Sequence, residues 1–280
     1  MPKLNTANPE VRDYLLSVAT YWIKNFDIDA WRLDVANEID HQFWREFRKA
    51  VLAKKPDLYI LGEIWHTSQP WLQGDEFHAV MNYPLSESIK DYFLRQRKKT
   101  EQFISEINSQ SMYYKQQISE VMFNLLDSHD TDRILTTAKG NIQHVKVALT
   151  FLYLQKGTPC IYYGTELALI GRPDPDCRRV MPWDRVSEDN DMLNFMKELI
   201  QVRKKVASII QHGTYSLKEL KPDVLSLKWN YQGKEVQAIF NQSTENFILD
   251  RNSVDLASHC QFEDGQQVIL PDGFVVYMLD

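Results

Sequence analysis

Acidic residues follow short apolar segments of this sequence, and their spacing could support nucleophilic or acid–base chemistry. Arg32 and Asp34 are two residues apart, so in a strand their side chains share one face. A guanidinium beside a carboxylate keeps that carboxylate ionised, which is the state that a nucleophile in glycoside hydrolysis needs. On spacing alone, a structural ion pair at a strand end is the preferred interpretation.

Glu63 ends the next apolar segment and could complete a pair of acids. Neighbouring strands lie ~4.8 Å apart. Retaining glycosidases hold their two carboxyl groups roughly 5–5.5 Å apart, so adjacent strands would bring Glu63 to a useful distance from Asp34. Trp65, two residues later, has a flat ring that could stack on a sugar, although core packing explains a lone tryptophan equally well.

A third acid follows another apolar segment, in Ser128-His129-Asp130. Asp130 would place negative charge beside a developing oxocarbenium ion, and His129 could donate a hydrogen bond to a sugar hydroxyl. A His-Asp pair after a strand often marks only a turn. Three acids after three separate strands are harder to explain structurally, because burying unpaired acids together costs several kcal/mol.

Alternating helical and apolar patterns predict the scaffold that positions these residues. Strands that alternate with helices are parallel, and their carboxyl ends carry the sites of (β/α)₈ barrels and doubly wound sheets. Asn8-Pro9-Glu10 is typical of a helix start, with Asn as the cap. Helices are predicted at 8–24, 40–54, 142–155 and 191–206, with two more within 85–118. Strands are predicted at 26–33, 58–62, 79–83, 121–126 and 160–163.

The sequence pattern changes after about residue 213. Short strand patterns separated by turns follow, at 224–229, 235–240 and 273–278, and they predict a small antiparallel β domain. The five strands predicted before this point do not close a barrel of eight.

Composition excludes several classes of function. The chain has 280 residues with a net charge of −6, and a mildly acidic protein repels phosphate backbones, which argues against nucleic acid as a partner. No segment has the length of a membrane span and the amino terminus has no signal-like region, so we expect a cytoplasmic protein without a membrane partner. Three scattered cysteines fit a reducing compartment and form no zinc pattern: Cys160, Cys177 and Cys260.

The acidic residues after the last predicted strand do not form a metal site. Asp174, Asp176 and Asp184 lack the spacing of a calcium loop. We therefore predict neither a metal nor a cofactor.

The acidic motifs resemble those of the α-amylase family, glycoside hydrolase family 13, in the order in which that family carries them. Residues 29–38, DAWRLDVANE, are similar to its nucleophile motif, and residues 62–65, GEIW, to its acid/base motif. Residues 128–131, SHDT, resemble the motif of its third acid, and residues 157–166 resemble its last barrel strand. Residues 1–5, together with VANE, resemble the neopullulanase, cyclomaltodextrinase and maltogenic amylase branch.

The resemblance implies a role for each residue of the motifs. Asp34 would attack the anomeric carbon, and Glu63 would protonate the leaving oxygen and then activate water. Asp130 would stabilise the distorted sugar and the transition state. Arg32 would orient Asp34, and His129 would bind the sugar at the cleavage point.

Further substrate contacts are implied on both sides of the scissile bond. Asp174 and Arg178 match family residues that hold the glucose at the non-reducing end, although a surface pair in a loop is an equally good interpretation without the family. Trp65, Asn37 and Glu38 would line the acceptor side, where the branch sets its choice between α-1,4 and α-1,6 bonds.

The implied fold is a partial TIM (β/α)₈ barrel containing the last five strands, at 1–210, followed by a small antiparallel β-sandwich at 211–280. The family's earlier Asp-x-x-x-Asn-His motif, its first three strands, the domain inserted after the third strand and this branch's amino-terminal β domain are absent. Met1 falls inside a family motif, which indicates a cut chain. The oligomeric state stays open, because relatives in this branch often dimerise through the absent amino-terminal domain.

The implied activity is that of a retaining α-glycosidase acting through a covalent glycosyl-enzyme. Its substrates would be cyclodextrins, pullulan, starch or maltooligosaccharides, cleaved at α-1,4 and also at α-1,6 bonds. Two alternatives stay open. One is a non-catalytic glucan-binding remnant or a truncated fragment that is inactive on its own. The other is a 4-α-glucanotransferase or an isomerase of the same family.

Overall fold

The computed structural model describes residues 3–251 and 253–279. The residues Met1 and Pro2 of the opening motif therefore lie outside the described residues. The chain divides into two compact units. Unit 1 contains residues 3–84 and 112–123, and unit 2 contains 85–111 with the described residues from 124 onward.

One or more helices separate successive strands up to residue 159, and the chain is mainly β after residue 213. The helices are α1 Pro9–Phe26, α2 His41–Leu52, α3 Tyr83–Ile89, α4 Thr100–Ser111, α5 Gln116–Ser119, α6 Ile134–Thr137, α7 Ile142–Tyr153 and α8 Asp191–His212. The strands are β1 Ala30–Leu33, β2 Tyr59–Gly62, β3 Ala79–Val80, β4 Phe123–Asn124, β5 Thr158–Pro159, β6 Thr214–Lys221, β7 Val224–Tyr231, β8 Lys234–Asn241, β9 Phe247–Leu249, β10 Leu256–Glu263 and β11 Gln266–Leu279.

Unit 1 is built on a parallel sheet in the order β1-β2-β3. Asn8 caps α1 by accepting hydrogen bonds from the backbone N–H groups of Glu10 and Val11, as the sequence pattern predicts. Helix α2 buries one aromatic face, and Trp44 on that face lies edge-on to Phe77 with 5.2 Å between the ring centroids. This packing places α2 directly behind the strands that carry the acidic residues.

Unit 2 surrounds one large apolar core. Every side chain of α7 from His144 to Tyr153 is buried, which is typical of a helix enclosed on all sides. Helix α8 buries a stripe that includes Phe195 and Leu199, and these side chains belong to the same core as Phe240 of β8 and Phe274 of β11.

The antiparallel sheet of unit 2 runs in the order β10-β11-β8-β7-β6, with β9 also pairing with β11. A second, smaller apolar cluster contains Val224, Ile239, Ile269 and Val275, with Phe247 of β9 packed against it. The predicted change from α/β to antiparallel β structure after residue 213 is thus present. The predicted domain division at residues 210 and 211 stays a prediction.

Several predicted boundaries are wrong. Helix α1 continues to Phe26, so the strand predicted at 26–33 begins only at Ala30. Helix α8 continues to His212, six residues beyond the predicted end at 206. The strand predicted at 160–163 is irregular, and the strand here is β5, Thr158–Pro159. The apolar residues at 160–163 include two tyrosines whose rings pack on a buried arginine, so they reflect packing rather than backbone pairing.

Candidate active site

Strands β1 and β2 set the relative positions of the first two acids. Leu33 pairs with Gly62 in the parallel register, so Asp34 and Glu63 follow directly at the same level of two adjacent strands. The backbone N–H of Glu63 donates to the carbonyl of Leu33 at 2.9 Å, which continues the ladder to this point. Both acids therefore leave the sheet at its carboxyl edge.

A single guanidinium joins these two acids. Arg32 Nη1 pairs with Asp34 Oδ1, and Arg32 Nη2 lies 2.9 Å from Glu63 Oε1. The two nitrogens belong to one planar fork, so both carboxyl groups are held within the same small region. Asp34 is exposed over 74% of its side chain and Glu63 over 5%, so the two acids occupy very different environments.

The Glu63 carboxyl group is held by two further donors. The backbone N–H of Val35 donates to Oε2 at 2.9 Å, and Trp65 Nε1 donates to Oε1 at 3.1 Å. Val35 adopts a left-handed backbone with φ of 44°, which is unusual for a β-branched residue and costs roughly 1–3 kcal/mol. This strained turn directs the N–H of Val35 toward Glu63.

The residues predicted for the acceptor side lie beside these acids in unit 1. Trp65 is half exposed and stacks on Tyr83, with ring centroids 4.1 Å apart and an interplanar angle of 12°. Asn37 and Glu38 lie in the short 3₁₀ turn after Asp34, where Glu38 pairs with Lys3. The hydrogen bond from Lys3 holds the pKa of Glu38 below its usual value.

Unit 2 brings together the other four predicted residues. His129 Nε2 lies 3.0 Å from Asp130 Oδ2, and Arg178 Nη2 lies 3.3 Å from Asp130 Oδ1. Arg178 Nε also contacts Asp174 Oδ1 at 2.7 Å and donates to the backbone carbonyl of His129 at 3.0 Å. These side chains form a partly exposed, charged group in which Arg178 pairs with both acids.

Comparison with known protein families identifies the family in which these two groups of residues occur. The profile of the α-amylase catalytic domain matches residues 1–249. The chain belongs to the α-amylase family. The resemblance predicted from the motifs is thereby confirmed.

The relatives include members of the branch that the motifs predict. The chain is similar to the intracellular maltogenic amylase of Bacillus subtilis strain 168, with 49% identity over 261 residues that cover 90% of this chain and 44% of the relative. It is 47% identical to neopullulanase 2 of Thermoactinomyces vulgaris over 216 residues, which cover 77% of this chain and 37% of that protein.

A solved structure of a cyclomaltodextrinase is also similar to this chain. A cyclomaltodextrinase that is 40% identical superimposes with a TM-score of 0.88, covering 100% of this chain and 50% of that one. The chain spans about half the length of the relatives that it matches and corresponds to their carboxyl-terminal part.

This α-amylase family member has neither a membrane-spanning helix nor a group of metal ligands within the part of the chain that the structure describes. None of the helices in residues 3–251 and 253–279 combines the length and the apolar character needed to cross a bilayer. Within the same residues, no three His, Cys, Asp or Glu side chains are grouped so that they could hold a metal ion.

Arg133 is an important residue of unit 2 that the sequence interpretation missed. Its side chain is completely buried and donates from Nε to the carbonyl of Cys177 at 2.8 Å and from Nη1 to the carbonyl of Tyr163. The guanidinium carbon lies 3.9 Å from the centroid of the Tyr162 ring. The Cys177 thiol donates in turn to the carbonyl of His129 at 3.0 Å, so Arg133 ties three loops to the residue before Asp130.

Gly62 leaves no room for a side chain between β2 and the core. A Cβ at this position would lie 2.7 Å from Cδ2 and 2.8 Å from Cε2 of the buried Phe77 ring. We expect Gly62→Ala to lower the free energy of unfolding by about 1–3 kcal/mol in urea denaturation, because overpacking forces the ring or the strand to move. Combining it with Phe77→Leu should recover part of this loss, and equal losses for the single and double variants would contradict the explanation.

Asp127 is buried in unit 2, where it accepts hydrogen bonds from Ile134 N at 3.1 Å and Thr165 Oγ1 at 3.2 Å. Burial raises the pKa of this carboxyl from 3.8 to about 6, although the Ile134 bond and the nearby Arg133 charge oppose the shift. The unfolded chain therefore releases this proton first as pH rises. The contribution of Asp127 to stability is complete below the unfolded pKa and is lost as pH rises through the folded pKa.

This titration predicts a pH dependence that an isosteric variant removes. We expect the free energy of unfolding of Asp127→Asn, relative to the parent, to rise by about 2 kcal/mol between pH 4 and pH 7, since one pKa unit corresponds to 1.36 kcal/mol. Urea denaturation at a series of pH values measures this difference. Asp184→Asn, on an exposed 3₁₀ turn, is the control for the general effect of replacing an aspartate, and an equal pH dependence in both variants would contradict the assignment. A flat difference for Asp127→Asn as well would contradict the assignment.

Proposed function

We propose that this chain carries the catalytic acids of a retaining α-glucan hydrolase, with Asp34 as the nucleophile and Glu63 as the general acid/base. One observation carries this proposal. The guanidinium of Arg32 contacts both carboxyl groups, which follow paired residues at the ends of the adjacent strands β1 and β2. Retaining glycosidases need two acids at roughly 5–5.5 Å, and this arrangement is compatible with that separation.

The chemistry follows from the two environments. Asp34, exposed and paired with Arg32, attacks the anomeric carbon while Glu63 gives its proton to the departing glycosidic oxygen. A covalent glycosyl-enzyme results. Glu63 then removes a proton from water, which attacks the same carbon and releases Asp34 with net retention of configuration.

The charged group of unit 2 supplies the remaining roles in this proposal. Asp130 stabilises the positively charged transition state, and His129 donates to a sugar hydroxyl. Asp174 and Arg178 bind the glucose at the non-reducing end. The contact of Arg178 with Asp130 supports this role over that of a simple surface pair. On the acceptor side, Trp65 offers its half-exposed face to the sugar that leaves, with Asn37 and Glu38 beside it.

The names of the relatives indicate the substrates. Maltogenic amylase, cyclomaltodextrinase and neopullulanase support α-1,4-linked glucans such as cyclodextrins, maltooligosaccharides and starch, with pullulan and α-1,6 bonds as further targets. A relative named as intracellular supports a cytoplasmic location. We also propose that residues 1–210 are the last five strands of a TIM barrel and that residues 211–280 are a β-sandwich. The two apolar faces of the antiparallel sheet support this division.

Incubation with a cyclodextrin, pullulan and starch tests the activity. The expected result is reducing sugar released by the parent chain and not by Asp34→Asn. Mass spectrometry after a fluorinated glucosyl reagent should locate an adduct on Asp34, whereas glucan binding without an adduct or turnover would indicate a non-catalytic remnant. Transfer products at high substrate concentration would indicate a 4-α-glucanotransferase instead of a hydrolase.

A further inference from the structure

A cavity of about 420 Å³ lies in unit 1, at the end of the parallel sheet opposite to the candidate acids. Among the residues that line it, Leu58 precedes β2, His78 precedes β3 and Val121 comes shortly before β4. Leu58 and Glu63 are five residues apart along the chain of β2, which corresponds to about 16 Å in a strand. Ligand-binding cavities usually have volumes of roughly 300–1,000 Å³, so this one has the size of a ligand site remote from the acids.

The floor of the cavity is apolar. Leu58, Leu72 and Phe77 are 1% to 2% exposed, and Ile118 is 8% exposed. These side chains come from the start of β2, the loop before β3 and helix α5, so three segments of unit 1 build the floor together. Such a floor favours a ligand with an apolar body, because binding removes that body from water.

Two aromatic side chains that line the cavity are fixed by hydrogen bonds. His78 Nδ1 accepts from the backbone N–H of Ile60 at 3.0 Å, so the neutral ring carries its hydrogen on Nε2. The Tyr59 hydroxyl donates to the carbonyl of Val121 at 2.6 Å, and the Tyr59 ring stacks on His78 with an interplanar angle of 10°. Burial, together with the nearby charge of Arg48, lowers the pKa of His78 to about 4. Above that pH His78 therefore adds no charge to the cavity.

The charges around the cavity favour an anion. Among the described residues, its lining contains two cations and one acid, namely Arg48, Lys115 and Asp57. Lys115 and Asp57 are exposed, so water screens their charges, whereas Arg48 is partly buried. The lining is thus positive in a chain whose net charge is −6, which disfavours a metal cation as the ligand.

Arg48 carries a charge that the rest of unit 1 leaves without an ion pair. Its Nη1 donates to the carbonyl of Glu76 at 3.2 Å, which is a contact with a neutral group. Asp75, which attracts this guanidinium, pairs with Arg45 at 2.6 Å instead. Burial lowers the pKa of Arg48, but a guanidinium stays charged in proteins. A partly buried guanidinium of this kind gains from an oxyanion, which its planar fork can bind with two hydrogen bonds.

We propose that this cavity binds a small organic anion. Its phosphate or carboxylate group would contact Arg48 and Lys115, and its apolar body would lie on Leu72, Phe77 and Ile118. A neutral glucan fits the cavity less well, because it has no charge for the guanidinium. The proposal is independent of the proposed function, since the cavity and the acids lie at opposite ends of the strands.

Isothermal titration calorimetry of the whole chain tests the class of ligand with four probes. 1-Naphthyl phosphate and 1-naphthoate combine an apolar body with an anion, 1-naphthol keeps the body without the charge, and inorganic phosphate keeps the charge alone. We expect one or both organic anions to bind one-to-one and about tenfold or more tightly than either 1-naphthol or inorganic phosphate, because a charge-assisted contact and the apolar floor both contribute. The tighter of the two identifies the anionic group. No preference over 1-naphthol, or equal binding of inorganic phosphate, would overturn the proposal.

Substitutions locate the bound anion. Arg48→Gln should weaken its binding about tenfold or more and leave the binding of 1-naphthol unchanged, and Arg48→Lys should recover part of the loss. Lys49→Gln is the matched control, because Lys49 is an exposed cation of the same helix that does not line the cavity, and it should bind like the parent. Lys115→Gln changes an exposed side chain, so it should keep the parent's unfolding midpoint while weakening the anion about threefold. This variant decides the result if Arg48→Gln does not fold.

Two outcomes of these measurements would place the anion elsewhere. Parent-like binding by both Arg48→Gln and Lys115→Gln would overturn the proposal. Displacement of the anion by maltotriose would do so too, because the probe would then occupy the glucan site. Binding of the anion at Arg48 by a chain that releases no sugar from cyclodextrin would support the cavity and contradict only the proposed function.

Discussion

Glu63→Ala is expected to slow hydrolysis of a cyclodextrin by about 10³-fold, because general acid–base catalysis contributes 10²–10⁴-fold. Asp34→Ala is expected to lose at least as much, since no glycosyl-enzyme can form without the nucleophile. Initial rates of reducing-sugar release measure both effects. Glu46→Gln is the control, because Glu46 is a partly exposed acid of unit 1 that pairs with Arg12.

Azide distinguishes the two roles. With a glycosyl fluoride as substrate, whose fluoride leaves without a proton from Glu63, azide in Glu63→Ala should attack the glycosyl-enzyme without needing a base, which restores turnover and gives a glycosyl azide of retained configuration. In Asp34→Ala it should occupy the space of the lost carboxylate and attack the substrate directly, which gives the inverted product. Nuclear magnetic resonance of the anomeric proton identifies each product. Reversed configurations would exchange the assigned roles, and no rescue of either variant would contradict them.

Arg133→Met is expected to lower the free energy of unfolding by about 3–5 kcal/mol. The substitution keeps an apolar stem but removes the donors to the carbonyls of Cys177 and Tyr163, and each buried acceptor left without a donor costs about 1–3 kcal/mol. It also removes the charge that lies beside the buried Asp127. Urea denaturation of the parent and the variant measures the loss.

Two further variants separate this explanation from a general effect of losing an arginine. Arg179→Met removes an exposed side chain that pairs with Asp176 and should cost less than about 1 kcal/mol. Arg133→Lys keeps the charge but not the planar fork, so it should recover only part of the loss. If Arg133→Met is no more destabilising than Arg179→Met, the loops of unit 2 do not depend on this guanidinium.

Much of the scaffold was predictable because its determinants are local. The Asn8-Pro9-Glu10 cap, the aromatic face of α2 and the alternation of strand and helix are each read from a few neighbouring residues. The strand predicted at 160–163 failed because an apolar run indicates burial or packing without showing what it packs against. There the rings of Tyr162 and Tyr163 pack on Arg133, which lies far away in the sequence.

The candidate site shows the same division. The types of side chain that could do chemistry, and the shared face of Arg32 and Asp34, can be read from the sequence, because alternation along a strand is a local property. Tertiary contacts are needed to show that Arg32 also reaches Glu63 and that Asp127 rather than Asp130 is fully buried. These outcomes depend on strand register and on the elements that cover each side chain, and both are set by contacts between residues far apart in the chain.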